Sequence, residues 1–235
     1  MSKTLTESIR QRILGGGERF WHHQDLSDYP LATVAKTLTQ LVKEGILQRV
    51  SKGHYYHPRP TRFGISQPIP GKIPPRLAQT PVYPAGVNAA NLLGFTTQNA
   101  LNGTFATTAN SLPRVWLGER AKLYTRRPST WGNLSTKEAA LLDFLRYRGK
   151  WSDLSPAQTH QQLLKHFQSP EMFERLVAIA HTEPPRVRAM LGALGQELGY
   201  SVELLQRLRG LLNPYSRFDF GKLSTLRYAR EWQSK

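Results

Sequence analysis

Residues 58–81 read PRPTRFGISQPIPGKIPPRLAQTP, a run so dense in proline and glycine that no long helix or central strand is expected in it, and a short helix starting at Arg76-Leu77-Ala78 would be interrupted by Pro81. Proline withholds a backbone donor and fixes φ, and glycine adds entropy to the unfolded chain. The run therefore reads as a loop or extended crossing segment. It cuts the 235-residue chain into unequal parts. The expected organisation is a small domain over residues 1–60, a Pro-rich linker over 61–82 and a second domain over 83–235. Each of these domains is long enough to bury a core of its own.

Charge is the next constraint. The chain holds 32 Lys and Arg against 16 Asp and Glu, a formal net charge of +16. A folded protein with that excess implies a polyanionic partner, nucleic acid or an anionic surface. The asymmetry is sharpest over residues 46–130, where Arg49, Lys52, Arg59, Arg62, Lys72, Arg76, Arg114, Arg120, Lys122, Arg126 and Arg127 face the single acid Glu119. Aromatic residues interleave these cations, so the region is no solvated poly-Lys tail.

The front part carries a pattern with a use for that charge. Leu5, Ile9, Ile13 and Leu14 make one apolar stripe on a helix over 4–14, which Thr4 or Thr6 would cap and Gly15-Gly16-Gly17 would end. A short helix is predicted around 23–28, stopped near Pro30. A third helix spans 31–44. It sets Leu31, Val34, Ala35, Leu38, Leu41 and Val42 inward, and Thr33, Lys36, Thr37, Gln40 and Lys43 outward. Gly45 closes it. Two alternating runs, 46–50 and 54–57, follow around Ser51-Lys52-Gly53 as a hairpin.

Three helices and a hairpin in that order predict a winged helix-turn-helix. Its second turn-unit helix fits the major groove, where every base pair shows a distinct donor–acceptor pattern. Gln40 is placed to reach base edges, and Lys36 and Lys43 bases or phosphates. Thr33 and Thr37 would meet phosphate or a thymine methyl. The wing, through Arg49, Lys52 and His54, would lie on the backbone or minor groove, with Arg59 and Arg62 extending the basic surface.

Beyond the linker, a short helix over 87–93 and strands over 104–108, 115–118 and 122–125 predict a small mixed sheet. Helices follow over 135–148, 156–167, 170–181, 185–199 and 201–212. Several carry proline in the first turn, where its missing N–H costs nothing. Ser135 with Glu138 three residues on is a capping box. The last stretch alternates aromatics with arginine, and it either packs back on the core or presents a surface to a partner. The expected fold class is α+β and mainly helical, with the winged helix-turn-helix first, then the mixed sheet and a C-terminal helical region.

Other function classes find little support. The chain contains no cysteine, which excludes disulfides, thiolate catalysis, zinc ribbons and iron–sulfur clusters. Gly15-Gly16-Gly17 lacks the Lys-Ser/Thr of a phosphate loop, and neither GxSxG nor HExxH occurs. His54 and His57 have no third ligand near them in sequence. No catalytic residue, cofactor or metal site is expected, and the chain is read as no enzyme. No stretch of about 18 apolar residues and no apolar leader core is present, so a cytoplasmic protein without a membrane partner is expected.

Three stretches give the chain a family likeness. LVKEGILQRVSKGHYYHP (41–58) is similar to a helix end, wing and Gly-x-Tyr hairpin followed by proline. YPAGVNAANLLGFTTQ (83–98) is similar to a Gly-Leu-Thr-Thr-Gln signature, here with Phe95 in place of leucine. PPRVRAMLGALGQELG (184–199) is similar to a helical tail. Together they resemble the AbiEi-type antitoxins, winged-helix repressors encoded beside a nucleotidyltransferase-like toxin. The second stretch is the most specific of the three, and with the element order the likeness covers most of the chain. It implies an antitoxin of a phage-defence type of operon. Such a protein represses its own promoter by binding double-stranded DNA at repeats, and it neutralises the cognate toxin directly or indirectly. In the family the N-terminal domain binds DNA and the C-terminal part carries antitoxicity. The DNA-reading role carries over to Thr33, Lys36, Thr37, Gln40 and Lys43, and to Arg49, Lys52 and His54 of the wing. No residue-level motif carries over to the C-terminal part. Alternative readings are an interaction protein that neutralises an acidic toxin by direct binding through the basic 46–130 region, and a stand-alone winged-helix regulator.

Overall fold

A computed structural model describes residues 4–51, 53–62, 64–66, 80–98, 103–112, 117 and 121–235. The chain is of mixed α and β structure and divides into two compact units. One unit holds Met1–Gln79 with Ser111–Ala121, the other Thr80–Asn110 with Lys122–Lys235. Residues 111–121, expected in the C-terminal domain, thus group with the first unit.

In the first unit, helix α1 (Leu5–Gly15) starts at Thr4, whose hydroxyl accepts the Glu7 N–H at 3.3 Å. This choice of Thr4 over Thr6 satisfies one of the orphan donors of the first turn. Strand β1 (Arg19–His22) follows the glycines. The helix expected over 23–28 is a single 3-10 turn, His23–Leu26, held where the Asp25 carboxylate accepts the His22 N–H at 2.8 Å. Helix α2 (Leu31–Lys43) then leads through Gly45, at φ 75°, into β2 (Gln48–Ser51) and β3 (His54–His57). The strands form an antiparallel sheet in the order β1-β3-β2, with Arg19 opposite His57 and Gln48 opposite Tyr56. Gly53, at φ 78°, makes the hairpin turn, and a register shift between Arg49 and Ser51 accommodates it. The core is Ile9, Ile13, Trp21, Leu26, Val34, Leu38, Leu41, Leu47 and Tyr55.

The predicted linker starts with order of its own. Strands β4 (Pro60–Thr61) and β5 (Gly64–Ile65) pair as a small hairpin. Ser66 locks it, donating its N–H to Arg59 O at 2.9 Å and accepting the Arg59 N–H at 2.8 Å on its hydroxyl. Residues 67–79 lie outside the described residues.

The second unit opens with β6 (Val82–Pro84) and α3 (Val87–Leu92). A sheet in the order β6-β7-β8 adds β7 (Thr104–Thr107) and β8 (Lys122–Tyr124), antiparallel then parallel. The strand expected over 115–118 lies outside the described residues, apart from buried Leu117. The helices stand close to their expected bounds: α4 (Thr136–Arg146), α5 (Pro156–His166), α6 (Pro170–Ile179), α7 (Pro185–Glu197) and α8 (Val202–Gly210). The Ser135–Glu138 capping box forms in both directions.

Two features organise this core. Trp131 is fully buried and donates its indole N–H to Glu183 Oε1 at 2.7 Å, and Arg146 clasps the same carboxylate through Nε and Nη2 at 2.7 and 3.1 Å. Arg127 pairs with buried Asp143 at 2.6 Å and Arg175 with buried Glu138 at 2.8 Å, so the buried carboxylates Glu138, Asp143 and Glu183 each meet a guanidinium. The C-terminal stretch, for which two fates were open, packs inward. Phe220, Leu223, Leu226, Ala229 and Trp232 are buried, and the Trp232 ring lies over Gly192 of α7.

Candidate nucleic-acid interface

Helix α2 has one face in the core and one in water. Val34, Thr37, Leu38 and Leu41 are buried, with the i, i+3, i+4, i+7 spacing of a helical stripe. Opposite them, Ala32, Lys36, Thr39 and Lys43 lie exposed at intervals of four, three and four, flanked by Ala35 and Gln40. The helix keeps a free outer side, as a groove reader requires.

The face differs from expectation at several positions. Thr37, assigned outward, is 3% exposed and donates its hydroxyl to Thr33 O at 2.8 Å, so it belongs to the core and not to a DNA-reading surface. It lies inside the arc that Val34 and Leu41 define. Leu31 and Ala35, assigned inward, are exposed, Leu31 at 64%. The buried arc is narrower than the apolar pattern suggested, and both residues fall beyond its edge. Thr33 is half-buried at the margin. Lys36, Gln40 and Lys43 are exposed as expected. Thr39 escaped the sequence reading, although it lies on the line through Lys36 and Lys43 at helical spacing.

Ion pairing sets the charge of this surface. Glu44 pairs with Arg10 at 2.6 Å, Glu18 with Arg59 at 2.9 Å and Asp28 with Arg12. Asp25 is taken up at the 3-10 turn. The Gln40 amide and the Arg10 guanidinium hold the Glu44 carboxyl below its ordinary pKa. Among the described residues, no carboxylate lies within ion-pair distance of Lys36, Lys43 or Arg49. Three of the unit's acids are thus engaged by Arg10 and Arg12 of α1 and by Arg59, while Lys36 and Lys43 of the α2 outer face have no carboxylate partner among the described residues.

The wing residues divide. Arg49 and Arg62 are exposed. Arg59 is exposed too but shares its charge with Glu18, so it offers a partner less than its position suggests. Lys52 lies outside the described residues. His54 is half-buried, with its ring centroid 4.5 Å from that of His22, which stands 3.9 Å from His23. Burial, reinforced by these two neighbours, lowers the His22 pKa. Strand β1 brings Arg19 over the Trp21 ring at 4.1 Å, a cation–π contact the sequence reading missed. Phe20-Trp21 after three glycines was its one signal.

Elsewhere, a cavity of about 220 Å³ is lined by Arg209, Leu212, Pro214, Glu231, Trp232 and Gln233. Among the described residues, no group of three His, Cys, Asp or Glu side chains is placed to hold a metal ion. No helix among them is long and apolar enough to cross a membrane.

No family model matches the chain, and no curated protein does. Among solved structures, its fold is similar to that of the Rv2827c protein from Mycobacterium tuberculosis. That match has 17% sequence identity and a TM-score of 0.50, and it covers 99% of this chain and 92% of that one. At that identity the likeness speaks to the fold alone.

Proposed function

We propose that the first unit is a winged helix-turn-helix that binds double-stranded DNA through the outer face of α2, and that the chain is a DNA-binding antitoxin repressing its own toxin–antitoxin operon. The carrying observation is electrostatic: Lys36 and Lys43 stand on an exposed helical face with no carboxylate of the described residues within ion-pair distance, while Glu44, Asp28 and Glu18 are paired with Arg10, Arg12 and Arg59. Topology supports it. Helix, strand, short turn, helix and hairpin, with the first strand paired to the last, is the chain order of a winged helix-turn-helix. The antitoxin part rests on the resemblance of residues 41–58, 83–98 and 184–199 to the AbiEi-type family. In this reading α2 lies in the major groove, Arg49 and Arg62 grip the sugar–phosphate backbone, and the second unit acts against a nucleotidyltransferase-like toxin.

Fluorescence anisotropy of the full chain on its own promoter tests the DNA part. Affinity is expected to fall steeply with salt, because each neutralised phosphate releases counterions. Lys36→Ala and Lys43→Ala should each reduce the log–log salt slope by about 1 without changing the melting temperature. Promoter affinity indifferent to both substitutions sinks the reading. Rescue of growth against the toxin encoded beside it tests the antitoxin part, and a chain that neither rescues growth nor represses the promoter refutes it.

A further inference from the structure

We propose that the apolar groups of the α2 outer face, Ala32, Ala35 and the Thr39 methyl, with Leu31 at its first-turn edge, recognise the 5-methyl groups of thymine in the major groove; this rests on the DNA interface proposed above. Three polar side chains of the helix that would read bases are engaged within the protein. Thr37 is buried against Thr33. Gln40 donates its amide to Glu44 Oε1 at 3.1 Å, and Glu44 is itself held by Arg10. Thr39 commits its hydroxyl proton to Ala35 O at 2.8 Å. Besides Lys36 and Lys43, what remains open is apolar: Leu31, 64% exposed, with exposed Ala32 and Ala35.

An apolar ledge on its own fits many occupants, but Ala32, Ala35 and Thr39 lie within about 100° of Lys36 and Lys43 around the helix, and these cations select an anionic occupant. Leu31 stands at the edge of that face in the first turn. The line from Ala32 to Lys43 spans about 16 Å at the α-helical rise, or about five base pairs at roughly 3.4 Å each. On the major-groove edge only thymine offers a methyl group, and side chains without donors can recognise nothing else there. The deep, narrow major groove of A-form RNA does not admit the helix, and uracil lacks the methyl, so the occupant is B-form DNA.

The test uses the full-length protein and a randomised duplex DNA pool. Selected duplexes are then remade with 2′-deoxyuridine in place of thymine, one position at a time. Loss of one buried methyl should weaken binding about fourfold at each contacted thymine. Leu31→Ala, on an exposed site that leaves the fold intact by far-UV circular dichroism, should erase the penalty at one or more positions while leaving the salt slope unchanged. Equal affinity for thymine and deoxyuridine duplexes overturns the methyl-reading proposal and leaves DNA binding standing. Failure to enrich any duplex at low salt overturns the DNA interface itself, and assigns the ledge to a protein partner instead.

Discussion

Gly192 sits mid-helix in α7, where alanine should ordinarily be the better residue. In an exposed helix the exchange gains about 1 kcal/mol, because alanine has less backbone entropy to lose. Here a Cβ would meet the Trp232 ring at 2.1 Å from Cε3 and Cζ3 and 2.4 Å from Cη2. Ordinary carbon–carbon contact needs about 3.5 Å, so the ring would have to retreat by more than about 1 Å. It has little room to do so. Trp232 is fully buried, its indole N–H is donated to Gln196 Oε1 at 2.7 Å, and Arg209 lies over it at 4.4 Å. Overpacking costs about 1–3 kcal/mol, and unseating the tryptophan altogether about 3–5. Net of the propensity gain, Gly192→Ala should destabilise the second unit by about 2 kcal/mol, a drop of about 4–8 °C in its melting temperature. The same substitution in a Trp232→Ala background should be stabilising by about 1 kcal/mol, since the clash is gone and only the helix preference remains. Thermal and urea unfolding followed by far-UV circular dichroism measures all four corners of this cycle. Stabilisation by Gly192→Ala in the intact protein, or equal effects in both backgrounds, refutes the packing of the C-terminal stretch on α7.

Further outcomes follow from the two cores. Thr37→Ala should cost about 1–2 kcal/mol of stability through a lost buried hydrogen bond, with DNA affinity per folded molecule unchanged; a pure loss of affinity on titration would return Thr37 to the interface. Glu183→Gln strands the Arg146 guanidinium beside Trp131 without a counter-charge and should cost about 3 kcal/mol or more by urea unfolding; a neutral result refutes the role given to that carboxylate. The ring of His166 bonds Leu93 O at 2.7 Å, and burial holds its pKa below the ordinary 6.5. The folded state thus prefers the neutral imidazole. Its contribution is full above pH 6.5 and is lost as pH falls through 6.5 and below. His166→Gln should flatten that acid limb of the stability profile, and an unchanged limb disproves the assignment.

Much of the fold was legible along the chain because its signals act over a few residues. Ser135 with Glu138, and proline at the start of α5, α6 and α7, mark helix starts that need no distant partner. The outward places of Lys36, Gln40 and Lys43 followed from periodicity in the same way. Strand β1 was missed because four residues without alternation carry no pattern, and it exists by pairing with β3 some thirty residues later. Thr37 and Leu31 exchanged places for a related reason. The apolar pattern of α2 allows a wide inward arc, and its actual width depends on how much of the helix the rest of the unit's core covers, which no local rule contains. The last twenty residues pack inward where Trp232 covers the bare patch of α7 at Gly192, a meeting of surfaces distant along the chain. Backbone preferences are set by neighbours in the chain, whereas burial is set by surfaces that meet only after folding.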